Sequence, residues 1–515
     1  ESSYRMNARY ILIFAFFALV QSAYCQQPEL NMGAYQSSML EREIVSQKKS
    51  VHLGQRPYLV QLFSDTIRYS FLEDSSKYYS QFGAKVMRDH IFEKKGRDYF
   101  IALDVLAEIG YAKDFSVPDS NDRGDFSFVN CRGALLQGQI GQKFTFNSGL
   151  YEVQRVATRY LDEFIDSMGV VPGWGRVKNY MVTGVDYSMS FGNISYSILP
   201  NWNIQLGYGK HFIGHGYRSL LMSDGVFNSP YVKTSATFFN GKLLYSTWYT
   251  TLQSLERLPI GDTPESLFKR KGGSFHYLSF KPVDWLELGF FEGTVWRLVD
   301  SLQTHSLPWN AFVPVIGVNS SVEGYDGVNN VYSGLNIRLN LPYSVSVYGQ
   351  LLIDDYESNR TGYQIGANIF DMVVPRLNIR VEYNHLSNYT YASNYHMQSL
   401  THFNQPIGHP SGGATDEVIV QSDYRWKRWF GRMKYNQIKH GEGPEGQWNF
   451  EYAPEILPSF EYRNIKQLEV TAGYKLNLHT DAEIFGGIIL RQSYERSSII
   501  MFGIKTNLHN SYFDF

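Results

Sequence analysis

From about Asp98 onward the chain falls into segments of roughly ten residues in which apolar and polar side chains alternate, a period that only a strand with two unlike faces can use. Trp202, Ile204, Leu206 and Tyr208 share one face, and Asn203, Gln205, Gly207 and Gly209 the other. Leu377, Ile379, Val381 and Tyr383 oppose Asn378, Arg380, Glu382 and Asn384, and Leu468, Val470 and Ala472 oppose Glu469, Thr471 and Gly473. A soluble sandwich alternates in the same way. The joins separate the two architectures. Tight links at 200–201, 240–241, 282–284, 341–342, 426–428 and 479–481 take turns with long polar connections near 213–230, 255–271, 297–328, 389–414 and 440–464. Outer-membrane barrels are joined in this way, with short periplasmic turns and long outer loops. The count predicts an all-β fold, a transmembrane antiparallel barrel of about 18 strands, beginning near Tyr99 and ending near Leu508. A propeller would need a fixed blade-length repeat, and none is seen.

Mean hydropathy of −0.29 excludes a bundle of membrane helices but not a barrel, whose alternating strands average out hydrophilic. The one long apolar run, Tyr10 to Val20, is too short to span a bilayer. Arg9 before it and Ala23 and Cys25 after it mark residues 1–25 as a leader and secretory signal peptide, with Glu1 to Arg5 a gene-boundary artefact. Export and strand pattern together predict the cell outer membrane. Residues 26–96 do not alternate. They are expected to form a periplasmic N-terminal arm with a short helix between Tyr79 and Lys94 and a surface for a periplasmic protein partner. Residues 97–515 are the expected barrel. Within it, Val156, Tyr160, Phe164 and Ile165 form a helical stripe, predicting a helix over 153–168 that ends at Gly169 and packs in or over the lumen. The closing Tyr512 to Phe515 reads as an aromatic insertion signal at the end of the last strand. With 47 Lys and Arg against 49 Asp and Glu there is no broad basic field, and no nucleic acid is expected. Two cysteines make neither a disulfide framework nor a four-cysteine zinc site. No metal or cofactor is expected.

The stretch from Gly207 to Asp224 (GYGKHFIGHGYRSLLMSD) resembles the most recognisable segment of the Wzi capsule-assembly family. Leu288 to Glu292, Tyr348 to Asp355, Glu382 to Asn384, Thr401 to Pro410, Thr506 to Leu508 and Tyr512 to Phe515 match in the same order across most of 97–515. The Bacteroidetes branch, which includes gliding-motility and spreading proteins, is the part of the family it is most similar to. The resemblance implies an outer-membrane barrel of about eighteen strands that binds surface polysaccharide and supports capsule assembly or attachment, with no enzymatic step.

The residues alone suggest where a glycan would bind. Arg218, beside Tyr217, suits a uronic acid or phosphate, and Gly214 and Gly216 allow close approach of the backbone. The structural alternative pairs Arg218 with a lumen carboxylate such as Glu292. Trp296, Trp309, Tyr325 and Tyr356, read as loop residues, offer flat faces to sugar rings, although an interfacial aromatic belt claims many tyrosines. His402, Asn404 and His409 could meet sugar hydroxyls, or simply pack a loop. Two rivals remain. One is a lipid hydrolase using His385 and Ser387, which continue the lipid-facing series of Leu377 to Tyr383 but lack an assignable orienting acid. The other is a general diffusion porin, which needs an open lumen. Outer-membrane lipid is expected as surroundings in every case.

Overall fold

The computed structural model describes residues 29–30, 34–46, 51–59, 80–116, 126–181, 183–258, 268–300, 303–325, 327–355, 358–442, 461–506 and 509–515. Its eighteen long strands close into one antiparallel barrel. They are β1 (Tyr99–Asp114), β2 (Phe126–Ile140), β3 (Phe144–Val156), β4 (Gly184–Leu199), β5 (Trp202–Gly209), β6 (Ser229–Phe238), β7 (Leu243–Arg257), β8 (Phe268–Val283) and β9 (Leu286–Asp300). The series continues with β10 (Asn330–Leu341), β11 (Val345–Asp355), β12 (Arg360–Phe370), β13 (Leu377–Leu386), β14 (Thr415–Trp426), β15 (Trp429–Glu442), β16 (Glu461–Asn477), β17 (Ala482–Gln492) and β18 (Arg496–Lys505). Every strand pairs with its neighbour in sequence, and β18 returns to β1 with Ile499 opposite Asp114 and Lys505 opposite Glu108. No edge is left to pair with another chain.

Alternation decides what each wall faces. Leu335, Ile337, Val470, Ile488, Ile500, Phe502 and Ile504 stand exposed on the outside, the face a bilayer covers. Trp202, Trp285, Trp426 and Trp429, also exposed, cluster at the short-turn end, where an interfacial girdle belongs. No helix among the described residues is long and apolar enough to cross a membrane.

Eighteen strands enclose more space than wall side chains can fill, and the chain fills much of it with its own connections. Most of residues 157–175, 210–228 and 387–414, all from the long-connection end, turns inward. Ile213, Leu220, Leu221 and Met222 meet Tyr391, Leu400, Phe403 and Ile407 and wall residues Trp248, Phe275, Tyr277 and Tyr332 in one apolar cluster. From the opposite end comes α1 (Ala34–Ser46) and the segment after it. Leu40, Ile44, Val51, Leu53 and Tyr58 make a second cluster, and Glu287 on β9 accepts hydrogen bonds from Leu53 N at 3.2 Å, Gly54 N at 3.0 Å and Ser279 Oγ at 3.0 Å. The two fillings touch: Gln55 and Arg56 pair with Ile213 and Phe212 in a short antiparallel bridge.

Three sequence expectations change. The helix α3 (Arg159–Met168) is shorter than 153–168, because Val153 to Val156 keep their ladder with Cys131 to Phe128 and remain strand. The helix nearer the N-terminus, α2, covers only Gln81–Met87, and Phe92–Lys95 adds a short strand against β1. The final residues do not end the last strand. Residues 509–515 lie in the lumen, where the Phe515 ring is 4.5 Å from that of Phe164 on α3. The leader at 1–25 lies outside the described residues.

The arm's hold on the wall is testable. Glu287→Ala leaves three donors without their acceptor, at a cost of about 1–3 kcal/mol per orphaned group. Limited proteolysis of this variant should cut within 37–58 while the barrel core stays resistant, and Glu287→Gln, which keeps an acceptor oxygen, should be cut less.

Candidate functional site

The glycine-rich segment after β5 carries the family-like residues. Its glycines serve the wall: Gly214 has φ +139°, and a Cβ on Gly216 would sit 2.5 Å from a Glu382 carboxylate oxygen. That close approach lets Glu382 on β13 accept from Tyr217 N at 2.8 Å and Arg218 N at 3.0 Å. Arg218 then lies fully buried. Its Nη2 is 2.8 Å from Glu417 Oε1 on β14 and 3.1 Å from Asp514 Oδ1 in the tail. Glu417 also holds His409 Nε2 at 2.7 Å. Tyr217 donates to Asp514 Oδ2 at 2.9 Å, and Lys434 Nζ lies 3.1 Å from the same carboxylate. Burial alone would raise the Asp514 carboxyl, but Arg218 and Lys434 overcome it and hold it well below the usual carboxylate range. The partner of Arg218 is therefore Glu417 with Asp514, not Glu292, which points out of the barrel.

The remaining expected residues are scattered. His402 is buried in the inward-folded 387–414 segment, accepting from Gln253 N at 2.9 Å and facing the Asn228 carbonyl at 3.1 Å. Burial pulls its imidazole down to about 4, so the ring is neutral at pH 7. Asn404 donates to the Met168 carbonyl at 3.3 Å. Trp296 is a strand residue, not a loop residue, and is buried on β9. Trp309 is 70% exposed and Tyr325 half-buried. Tyr356 lies outside the described residues. His385 gains the acid the sequence left unassigned, with Nδ1 2.7 Å from Asp416 Oδ1. The Ser387 hydroxyl donates to the Asn359 carbonyl at 2.8 Å instead of engaging that histidine.

The structure also gathers a surface at the long-connection end that sequence reasoning missed. Arg176 and Arg257 stand over the Phe268 ring at 4.7 and 5.0 Å, and Arg297 over the Tyr395 ring at 5.6 Å. Lys269 and His396 share Glu256, each at 2.5 Å. Asp300 takes Arg297 at 3.7 Å and His305 at 2.8 Å. With Arg270, five permanent cations face two carboxylates, interleaved with two aromatic rings. The run Phe268-Lys-Arg-Lys271 at a strand start beside a long connection was its only sequence signal. Elsewhere, a lumen cavity of about 420 Å³ remains, with Arg155, Arg432, Lys434, Glu469 and Glu483 among its lining.

A closed 18-strand barrel with an apolar outer wall and filled lumen defines a protein of the outer membrane. The family model for capsule assembly protein Wzi matches residues 124–488, and the chain belongs to that family. Among solved structures, the chain is similar to Wzi of Escherichia coli, described as an outer-membrane protein involved in group 1 capsule assembly and a carbohydrate-binding β-barrel. That match has 13% identity and a TM-score of 0.55, covering 95% of this chain and 100% of that one. OprD of Pseudomonas aeruginosa matches at 10% identity and TM-score 0.43, over 84% of this chain and 97% of that one. OccAB4 of Acinetobacter baumannii matches at 11% and 0.43, over 80% and 99%. No curated protein matches.

Arg218→Ala removes the buried partner that Glu417 and Asp514 share, a loss of about 3–5 kcal/mol. Thermal unfolding in detergent should shift down accordingly. The tail contact has a signed pH dependence. Because the Asp514 carboxyl is depressed when folded, its stabilisation is complete above its unfolded value near 3.9 and is lost only as pH falls below that toward the folded value. Carboxypeptidase release of Phe515 should therefore stay slow in wild type from pH 8 to pH 5 and become fast in Arg218→Ala throughout that range.

Proposed function

We propose that this protein is a non-enzymatic outer-membrane barrel that binds acidic surface polysaccharide and supports its assembly or attachment at the cell surface. The observation that carries this reading is the outward-facing rim of Arg176, Arg257, Lys269, Arg270 and Arg297 with Phe268 and Tyr395, set above a lumen filled by the chain itself. Guanidinium groups pair bidentately with carboxylate or phosphate, while aromatic faces meet the apolar side of sugar rings. Membership of the capsule-assembly family, and the carbohydrate binding stated for the Escherichia coli protein, support the same reading.

Tyr217, Arg218, His402 and His409 act from beneath, by fixing the inward-folded connections on which the rim rests. Tyr325 completes the outer surface. Residues 1–25 direct export, and the part of 26–96 outside the lumen faces the periplasm, with exposed Phe82 and Val86 of α2 presented to a protein partner there. Each sugar contact is weak, so retention depends on many copies along one polymer. A retained polymer would equally serve the spreading role implied by the Bacteroidetes-branch resemblance.

The test substitutes Arg257, Lys269 and Arg297 by Ala together. At about 0.5 kcal/mol for each exposed charge contact, binding of purified protein to an acidic capsule preparation should weaken roughly tenfold, with a shallower salt dependence. Cells carrying the triple variant should shed polysaccharide into the medium. Wild-type binding and retention in that variant would refute the rim as the contact surface.

A further inference from the structure

The outer wall of β7 to β9 is polar and buried at a height where the wall of β17 is apolar and open to its surroundings. On β17 the seventh and ninth residues from the short turn are Ile488 and Leu490, both exposed to the surroundings. On β9 the same two places hold Glu292 and Thr294, both fully buried. Their neighbours on that wall are Thr247, Ser274 and His276, again polar and buried. A carboxylate facing hydrocarbon is costly, so something must cover it.

The cover is the connection between β9 and β10. It runs down the outside of the barrel, where the Gly317 and Ser320 amides donate to the two Glu292 oxygens at 2.9 and 2.8 Å. These amides sit at the start of a one-turn helix, α4 (Val318–Val322). Phe312 stacks on Tyr249 at 5.3 Å and meets the Trp296 ring edge at 6.0 Å. Glu323 ties the segment to itself through Asn310 and through Asn329 Nδ2 at 2.8 Å.

Two features indicate what the far side of this segment meets. Residues 307–322 (LPWNAFVPVIGVNSSV) contain no Asp, Glu, Lys, Arg or His, although Leu307, Trp309, Phe312, Val315 and Val322 are exposed. Eight backbone donors of residues 307–323 are also paired, which hydrocarbon favours. Phe312, Val313, Val315, Val318, Ser321 and Glu323 donate within the segment, Gly317 and Ser320 donate to Glu292, and Pro308 and Pro314 have no N–H. The exposed face is continuous with the lipid-facing Phe290, Leu335 and Ile337 on the strands beneath it.

We propose that residues 307–323 form a strap seated in the outer leaflet, binding lipid acyl chains on its apolar face and shielding the polar wall behind it. Trp309, expected from sequence as a sugar contact, is in this assignment a lipid contact. The strap stands apart from the polysaccharide rim, and its test does not involve glycan.

Nitroxide labels placed by Val315→Cys and Leu307→Cys, in a Cys131→Ala background, report the surroundings directly. The protein is reconstituted in phosphatidylcholine and phosphatidylglycerol vesicles, and correct folding is checked by heat-modifiable mobility on gels. Leu335→Cys gives the lipid reference and Asn394→Cys the water reference. Collision with oxygen should rise, and collision with a water-soluble nickel chelate fall, to the values at position 335. Nickel collision equal to that at position 394 would overturn the proposal by placing the strap in water. Low collision with both reagents would overturn it by showing that a second chain, not lipid, covers the face.

Discussion

A single buried guanidinium ties together three parts of the chain that are far apart in sequence. Arg218 belongs to the connection after β5, Glu417 to the barrel wall and Asp514 to the C-terminal tail. Arg218 could not stay buried without these carboxylates, since an unpaired buried ion costs several kcal/mol. The pairing therefore obliges the connection to fold inward and the tail to rise to meet it. Gly214 and Gly216 make the inward path sterically open, and Glu382 fixes its register through two backbone amides. Once that connection is inside, the arm has a partner for its own short strand, and the lumen is filled from both ends.

Filling the lumen leaves the rim and the flank as the surfaces open to partners. At the long-connection end, cations that have no place inside an apolar cluster gather on the rim, held apart by Phe268, Tyr395 and two shared carboxylates. On the flank, the β9–β10 connection turns outward instead of inward and covers a polar wall. The same class of element, a long connection, thus becomes plug, rim or strap according to its charge content. Connections with buried ionic partners enter the lumen, the charged strand ends stay in water, and the uncharged 307–322 segment lies against the wall.

The wall was legible because a strand's period of two shows in side-chain order alone. The alternation of short and long joins then gave the strand number and the side on which each join lies. Where the long connections go was not legible. A polar, glycine-rich segment such as 210–228 has the same composition whether water or a lumen carboxylate satisfies it, so Tyr217 and Arg218 read as ligand contacts. Glu292 shares the parity of Leu288 and Phe290 and so lies on the outward face of β9, and its proposed pairing with Arg218 assumed the wrong side of the wall. The tail misled for a related reason. An aromatic terminus suits either a final strand or a buried hook, and only the Asp514 contacts distinguish them. The rim needed three-dimensional assembly, because its cations come from four separate connections and strand ends.

With its lumen filled from both ends by segments that meet, the barrel is expected not to conduct. Planar-bilayer recording of the full-length protein measures this directly. A sealed lumen gives no large, steady conductance steps in concentrated salt. Regular steps of porin size would show an open channel and contradict the account.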